Sequence, residues 1–118
     1  MMMIAGIAAA LSGIQAGGKM LSVGAHNIAN AQTDGFKRLR ALPVESSAGG
    51  VTVSLDKDLR SGPQSFSTED PLILREGSNV DLGEEMITNL QAVNLIEANI
   101  ATIGIQHNVL GSLLDITG

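Results

Sequence analysis

The sequence predicts an α+β chain: long N- and C-terminal helices forming a coiled-coil-like pair, with a small β-hairpin region between them. Three observations predict it. Apolar and small residues at both ends recur with a heptad period. The middle carries a period-two strand pattern cut by Gly and Pro breakers. Charge is confined to that middle: Lys19 is the sole charge from Met1 to Asn30, and only Glu97 and Asp115 are charged from Met86 to Gly118. The chain therefore divides into an N-terminal helical segment, 1–30, a junction and small β region, 31–77, and a C-terminal helical segment, 78–118.

In the first segment Met3, Ile7, Ala10, Ile14, Gly17, Leu21, Gly24 and Ile28 alternate steps of four and three, which predicts a helix near 3–30. Gly6, Gly13, Gly17, Gly18 and Gly24 each cost such a helix about 1 kcal/mol relative to Ala. They are either an incidental loss of propensity or room for close backbone approach. Gly13 and Gly17 form a small-xxx-small pair and alternate with Ile and Leu on the seam, which favours close packing.

The stretch NIANAQTDGFKRLR, Asn27 to Arg40, ends this helix. Asn27 and Asn30 are expected to satisfy carbonyls at the fraying end, and Gly35 to supply the positive φ of a tight turn. Phe36, one of two Phe in the chain, is expected to fasten the turn. Lys37, Arg38 and Arg40 read equally as a solvated strand edge or as ion-pair partners for Asp81, Glu84 and Glu85.

Val51-Thr-Val-Ser-Leu55 alternates and predicts a strand, and Leu72-Ile-Leu-Arg75 is a second candidate. Ala48-Gly49-Gly50, Ser61-Gly62-Pro63 and Asp70-Pro71 break the chain around them. A hairpin or a three-stranded patch is expected, with Lys57 and Asp58 in its exposed part. Ser78 precedes Asp81 by capping-box spacing, and Asp81, Glu84 and Glu85 suit a helix start near 80. Met86, Asn89, Val93, Ile96, Ile100, Ile103, His107, Leu110 and Leu114 then continue a heptad seam to about 114.

The composition narrows function. With 118 residues there is one small domain. With no Cys there is no disulfide and no thiolate metal site. Trp and Tyr are absent and net charge is -5, the wrong composition for base stacking and the wrong sign for phosphate backbones. His107 reads as a packed seam residue and His26 has no carboxylate at a fixed spacing, so the two could share a metal only if the helices bring them together. Gly17-Gly18-Lys19 lacks the P-loop pattern. No catalytic arrangement, cofactor or metal site is read from the residues, so a non-enzyme is expected. MMMIAGIAAALSGI lacks the basic start of a signal peptide and is too short before Gln15 to span a bilayer.

Ala10-Leu-Ser-Gly-Ile14, Asn27-Ile-Ala-Asn30 and Thr33-Asp-Gly-Phe-Lys-Arg38 resemble the N-terminal signature of bacterial flagellar axial proteins, the rod, hook and hook-associated subunits. Ser78-Asn-Val-Asp-Leu-Gly-Glu-Glu-Met86 resembles the C-terminal signature of the same family. The short middle segment, including Gly50-Val-Thr-Val53, is most similar to the short proximal-rod proteins. Two features depart from the pattern: Asp34 stands where Pro is common, and Asn94-Leu-Ile-Glu97 replaces an aromatic-bearing segment.

The resemblance implies a structural subunit of the basal-body rod, spanning the periplasm and exported by the flagellar type III apparatus without a cleaved signal peptide. It implies partners in itself and in other rod and hook proteins, with no nucleic acid and no small-molecule substrate. The expected assembly interface is Ile7, Ile14, Leu21, Ile28, Val93, Ile96, Ile100, Ile103, Leu110 and Leu114. The expected junction, joining helical tube to outer β domain, is Asn27, Asn30, Gly35 and Phe36. Two alternatives stand beside this reading. One is a secreted or membrane-active small protein with a Gly-rich apolar N-terminus, processed at Gly17-Gly18. The other is a divergent, non-flagellar self-assembling helical protein.

Overall fold

A computed structural model describes residues 2–118. Helix α1 runs Met2–Ala29 and helix α2 Leu82–Thr117. Between them lie strands β1 (Leu39–Glu45), β2 (Val51–Lys57), β3 (Gln64–Phe66) and β4 (Leu74–Glu76). The α+β architecture of two long helices around a small antiparallel β region is as expected from the heptads.

The helices pack antiparallel, and small residues let them approach. A Cβ on Gly17 would lie 2.5 Å from Ile96 Cγ1 and 3.0 Å from the Ala92 carbonyl. Among the described residues the buried apolar side chains are only Ala10, Ala16, Met20 and Ala92. The seam of α2 that meets α1 is Glu85, Asn89, Ala92, Ile96, Asn99, Ile103 and Gln106, again in alternating steps of four and three. Asn89, Ile96 and Ile103 were expected there. Leu110, four residues beyond Gln106, continues the same steps, as expected. Met86, Val93, Ile100 and Leu114 instead face outward, as does His107, which the heptad pattern placed in the seam.

β1 and β2 form one two-stranded antiparallel sheet and β3 and β4 another, rather than a three-stranded patch. β1 was not anticipated; Pro43 and the basic residues before it disguise the strand. It pairs with β2 from Leu39↔Lys57 to Glu45↔Val51, and Pro43 is tolerated because a two-stranded sheet leaves every strand a free edge. Leu39, Ala41, Val51 and Val53 are half-buried on the face toward α1, Leu55 shares that face opposite Ala41 but stays exposed, and Leu42 and Val44 face out. This hairpin lies along α1. Asn27 holds Leu39 at one end, and Ser12 Oγ accepts from Val51 N at 2.9 Å at the other. Fifteen helical residues and seven strand residues both span about 23 Å, so the two lengths match. The turn between the strands uses Gly49 and Gly50 at φ +89° and +83°.

β3 and β4 touch each other and no other helix or strand among the described residues. The molecule measures 80 × 24 × 14 Å with a radius of gyration of 20.8 Å. A compact chain of this length would have a radius near 13 Å. Its accessible surface is 8032 Å². A compact monomer of 12.2 kDa exposes about 6,000 Å². The excess, about 2,000 Å², is the scale of a large protein interface.

The start of α2 differs in detail from the expected capping box. Asp81, not Ser78, is the N-cap: its backbone is extended (φ -101°, ψ 112°) and its carboxylate accepts from Glu84 N at 3.1 Å. Ser78 is buried one turn earlier, where its Oγ accepts from Val80 N.

Candidate functional site

Two regions lie where function was expected: the junction after α1, and the outward faces of the helices. The junction is a polar lock. Asn27 is 1 % exposed, and its carboxamide pairs with the backbone of Leu39 in both directions: Nδ2 donates to Leu39 O at 2.7 Å, and Leu39 N donates to Oδ1 at 2.9 Å. The same Nδ2 reaches Glu85 Oε1 at 3.1 Å. Asn27 therefore ties α1, β1 and α2 together, and does not cap its own helix as expected. Asn30 does cap, donating to His26 O at 2.9 Å.

Gly35 turns the chain at φ +69°, the conformation anticipated from Asp34-Gly35. Its N–H donates to Glu76 O at 2.8 Å. Phe36 is half-buried and meets the His26 ring edge-on, centroids 5.5 Å apart. The three basic residues then diverge. Arg38 is buried, with Nη1 2.5 Å from Glu84 Oε2 and Nε 3.4 Å from Glu85 Oε1. Lys37 pairs with Glu76 and donates to Arg60 O. Arg40 is exposed on β1. Ion pairing thus accounts for Arg38, but only toward Glu84 and Glu85; Asp81 is occupied as the N-cap.

Electrostatics reinforce the lock. Burial works against the Arg38 charge, but the Glu84 hydrogen bond and the charges of Glu84, Glu85 and Asp58 outweigh it and raise its pKa. The Arg60 side chain, and then its backbone N–H, hold Asp58 well below the usual carboxylate range. Lys37, and then the Gly62 N–H, lower Glu76. Asp58 is itself buried, so the expectation that Lys57 and Asp58 share an exposed, tolerant surface is corrected for Asp58. Its backbone N–H pairs with Arg38 O, and its carboxylate takes the Arg60 guanidinium.

Sequence reasoning also missed Asn79, which stitches three loops. Its Oδ1 accepts from Arg38 N at 2.7 Å, and its Nδ2 donates to Asp58 O at 2.8 Å and to Arg60 O at 2.9 Å. The sequence shows it only as one residue of the Ser78–Met86 stretch, with no local sign of this role. An open cleft of about 310 Å³ lies beside it, lined by Arg38, Arg60, Asp81 and Glu84 among others. Its two guanidinium groups already pair with carboxylates, so neither is a free cation for an anionic ligand. Among the described residues no three His, Asp or Glu side chains are grouped to hold a metal. Helix register places His26 and His107 some 30 Å apart along the pair.

The expected interface residues divide in two. Ile7, Ile14, Leu21, Ile96 and Ile103 are half-buried along the α1–α2 pair. Ile28, Val93 and Leu110 are each 37 % exposed, Ile100 is 55 % and Leu114 69 %. Of these, Val93, Ile100 and Leu114 join Met86 and Leu90 in an outward apolar face of α2, while Ile28 lies on α1 and Leu110 follows the seam. Gly18, Gly104 and Gly111 have open space where a Cβ would stand, so no intrachain contact requires a glycine at those helical positions. By length and composition α1 is also long and apolar enough to cross a membrane.

No family model matches the chain, and no curated protein matches it.

Proposed function

We propose that the chain is a structural subunit that self-assembles through its long helices, and that the assembly is the rod of a bacterial flagellum. The outward apolar face of α2 carries the self-assembly reading. Met86, Leu90, Ile100 and Leu114 are each more than half exposed, while only four apolar side chains are buried among the described residues. Such a surface calls for a protein neighbour. Gly18, Gly104 and Gly111 support close approach of a second helix, since each weakens its own helix with no intrachain contact to explain it. The rod reading rests on the resemblance of the junction and of the α2 start to axial-protein signatures. The polar lock supports it, because stacking subunits must carry their outer β region at a constant angle.

Two measurements test the parts separately. Sedimentation across a concentration series, followed by electron microscopy, is expected to show growth into elongated particles; a persistent monomer overturns self-assembly. Mass spectrometry of purified hook–basal bodies from cells producing a tagged chain is expected to find it with an intact N-terminus. Assembly in vitro without incorporation would leave a non-flagellar self-assembling protein. The length and apolarity of α1 favour the membrane-active reading as the alternative, and α1-dependent binding of the intact chain to lipid vesicles would support that one instead.

A further inference from the structure

We propose that a set of glycine notches on α1 and carboxamide knobs on α2 acts as a register key, so that each chain pairs its own two helices in one alignment only. The inference concerns pairing within a chain and stands apart from what the chain assembles into.

The contacts recur in step. A Cβ on Gly6 would lie 2.5 Å from Gln106 Nε2. On Gly13 it would lie 2.7 Å from Asn99 Cγ, and on Gly24 3.0 Å from Asn89 Cγ. Seven residues up α1, from Gly6 to Gly13, match seven residues down α2, from Gln106 to Asn99. The Asn27–Glu85 hydrogen bond falls in the same alignment, so seam and junction share one register.

Each half of these contacts is unfavourable alone. A glycine weakens the helix that carries it. Asn89 Oδ1 and Gln106 Oε1 are buried without a hydrogen-bond partner, which an apolar side chain would avoid. What the combination provides is exclusivity, as a buried polar residue does in a coiled-coil seam. A slip of one heptad would set Asn99 against Met20 in one direction. In the other it would set Met20 against Glu85 and separate Asn27 from its partner. A pair of α1 helices would leave the notches empty, and a pair of α2 helices would press the carboxamides together.

The Cys-free chain allows a direct test. Spin labels on Leu11→Cys and Gln91→Cys, both exposed sites, report the axial offset of the helices. Labelled chain is diluted into unlabelled chain at a concentration where helicity has saturated. The parent is expected to show one distance. Gly13→Asn is expected to lose it, either to a population displaced by most of one heptad, about 10 Å, or to unpaired helices. Adding Asn99→Gly exchanges knob and notch and is expected to restore the parent distance. Several distances in the parent, an unchanged distance in Gly13→Asn, or no recovery in the double variant would each overturn the key.

Discussion

Asn27 and Leu39 are joined as if they were residues of neighbouring strands, each donating one hydrogen bond to the other, at 2.7 and 2.9 Å. A side chain on a helix thus completes the backbone pairing of a strand's first residue. Asn27→Ala leaves the Leu39 amide and carbonyl without partners at a site that is 1 % exposed. The expected loss is about 2–3 kcal/mol. Hydrogen exchange should show the Leu39 amide losing protection while the amides of mid-α2 keep theirs.

Charge placed on α2 should separate pairing from assembly. Ile100 is 55 % exposed, so Ile100→Lys is expected to leave the helix pair intact and to block growth. Ile103 is half-buried against α1, and Ile103→Glu is expected to cost about 1–3 kcal/mol and to loosen the pair itself. Circular dichroism and sedimentation together distinguish the two outcomes. Equal effects at both sites would contradict the division of α2 into two faces.

The helical glycines should respond in opposite ways. Gly18→Ala and Gly104→Ala meet no atom within 4 Å and are expected to stabilise their helices by about 1 kcal/mol each. Gly24→Ala must displace a short Asn89 side chain and is expected to lower the thermal midpoint. If Gly18→Ala and Gly104→Ala are stabilised as single chains yet assemble poorly, those glycines are contact points between copies.

Acid should loosen the junction before the seam. Asp58 and Glu76 titrate lower in the fold than their ordinary values of 3.8 and 4.5, held down by Arg60 and Lys37. Their stabilisation is complete above those ordinary values and is lost as pH falls through the lower folded ones. The Gly13–Asn99 and Gly17–Ile96 contacts contain no titrating group. Hydrogen exchange at pH 5 and at about pH 2.5 should show protection falling at the Asp58 and Gly62 amides first.

The turn at Gly35 should matter to assembly more than to either helix. Its φ of +69° makes Gly35→Val costly, about 1–3 kcal/mol. Phe36→Ala removes the edge contact to His26 and should cost less than a fully buried Phe. Export and incorporation into filaments, scored separately, are expected to show both variants exported and poorly incorporated. Parent-like incorporation of both would reduce the junction to a linker.

The heptads of α1 were legible because its seam is built from apolar residues and glycines that alternate with Ile and Leu. Those of α2 were legible only in part. Asn99 and Gln106 face the partner helix while Ile100 and Leu114 face out, the reverse of what hydrophobicity alone implies. The missing signal lay in the other helix, where Gly6, Gly13 and Gly24 leave room for side chains that pattern reading assigns to solvent. Gly35 was legible because an Asp-Gly turn has few alternatives. Asn79 and Asp58 were not, since their roles depend on loops that meet only in three dimensions. Asp58 also sits among Asp56, Lys57 and Arg60, where a run of charge normally means a solvated surface.

Because β3 and β4 rest on no other helix or strand among the described residues, their loop is a site where the molecule can be marked. The hairpin is held at its base, where Glu76 meets Gly35 and Lys37, while Leu72 at the far end is 91 % exposed. An epitope or fluorophore inserted between Thr68 and Glu69 should be invisible to both helices and to the lock. Such a tagged chain would let growth be watched one subunit at a time, with the reporter carried clear of the surfaces that build it.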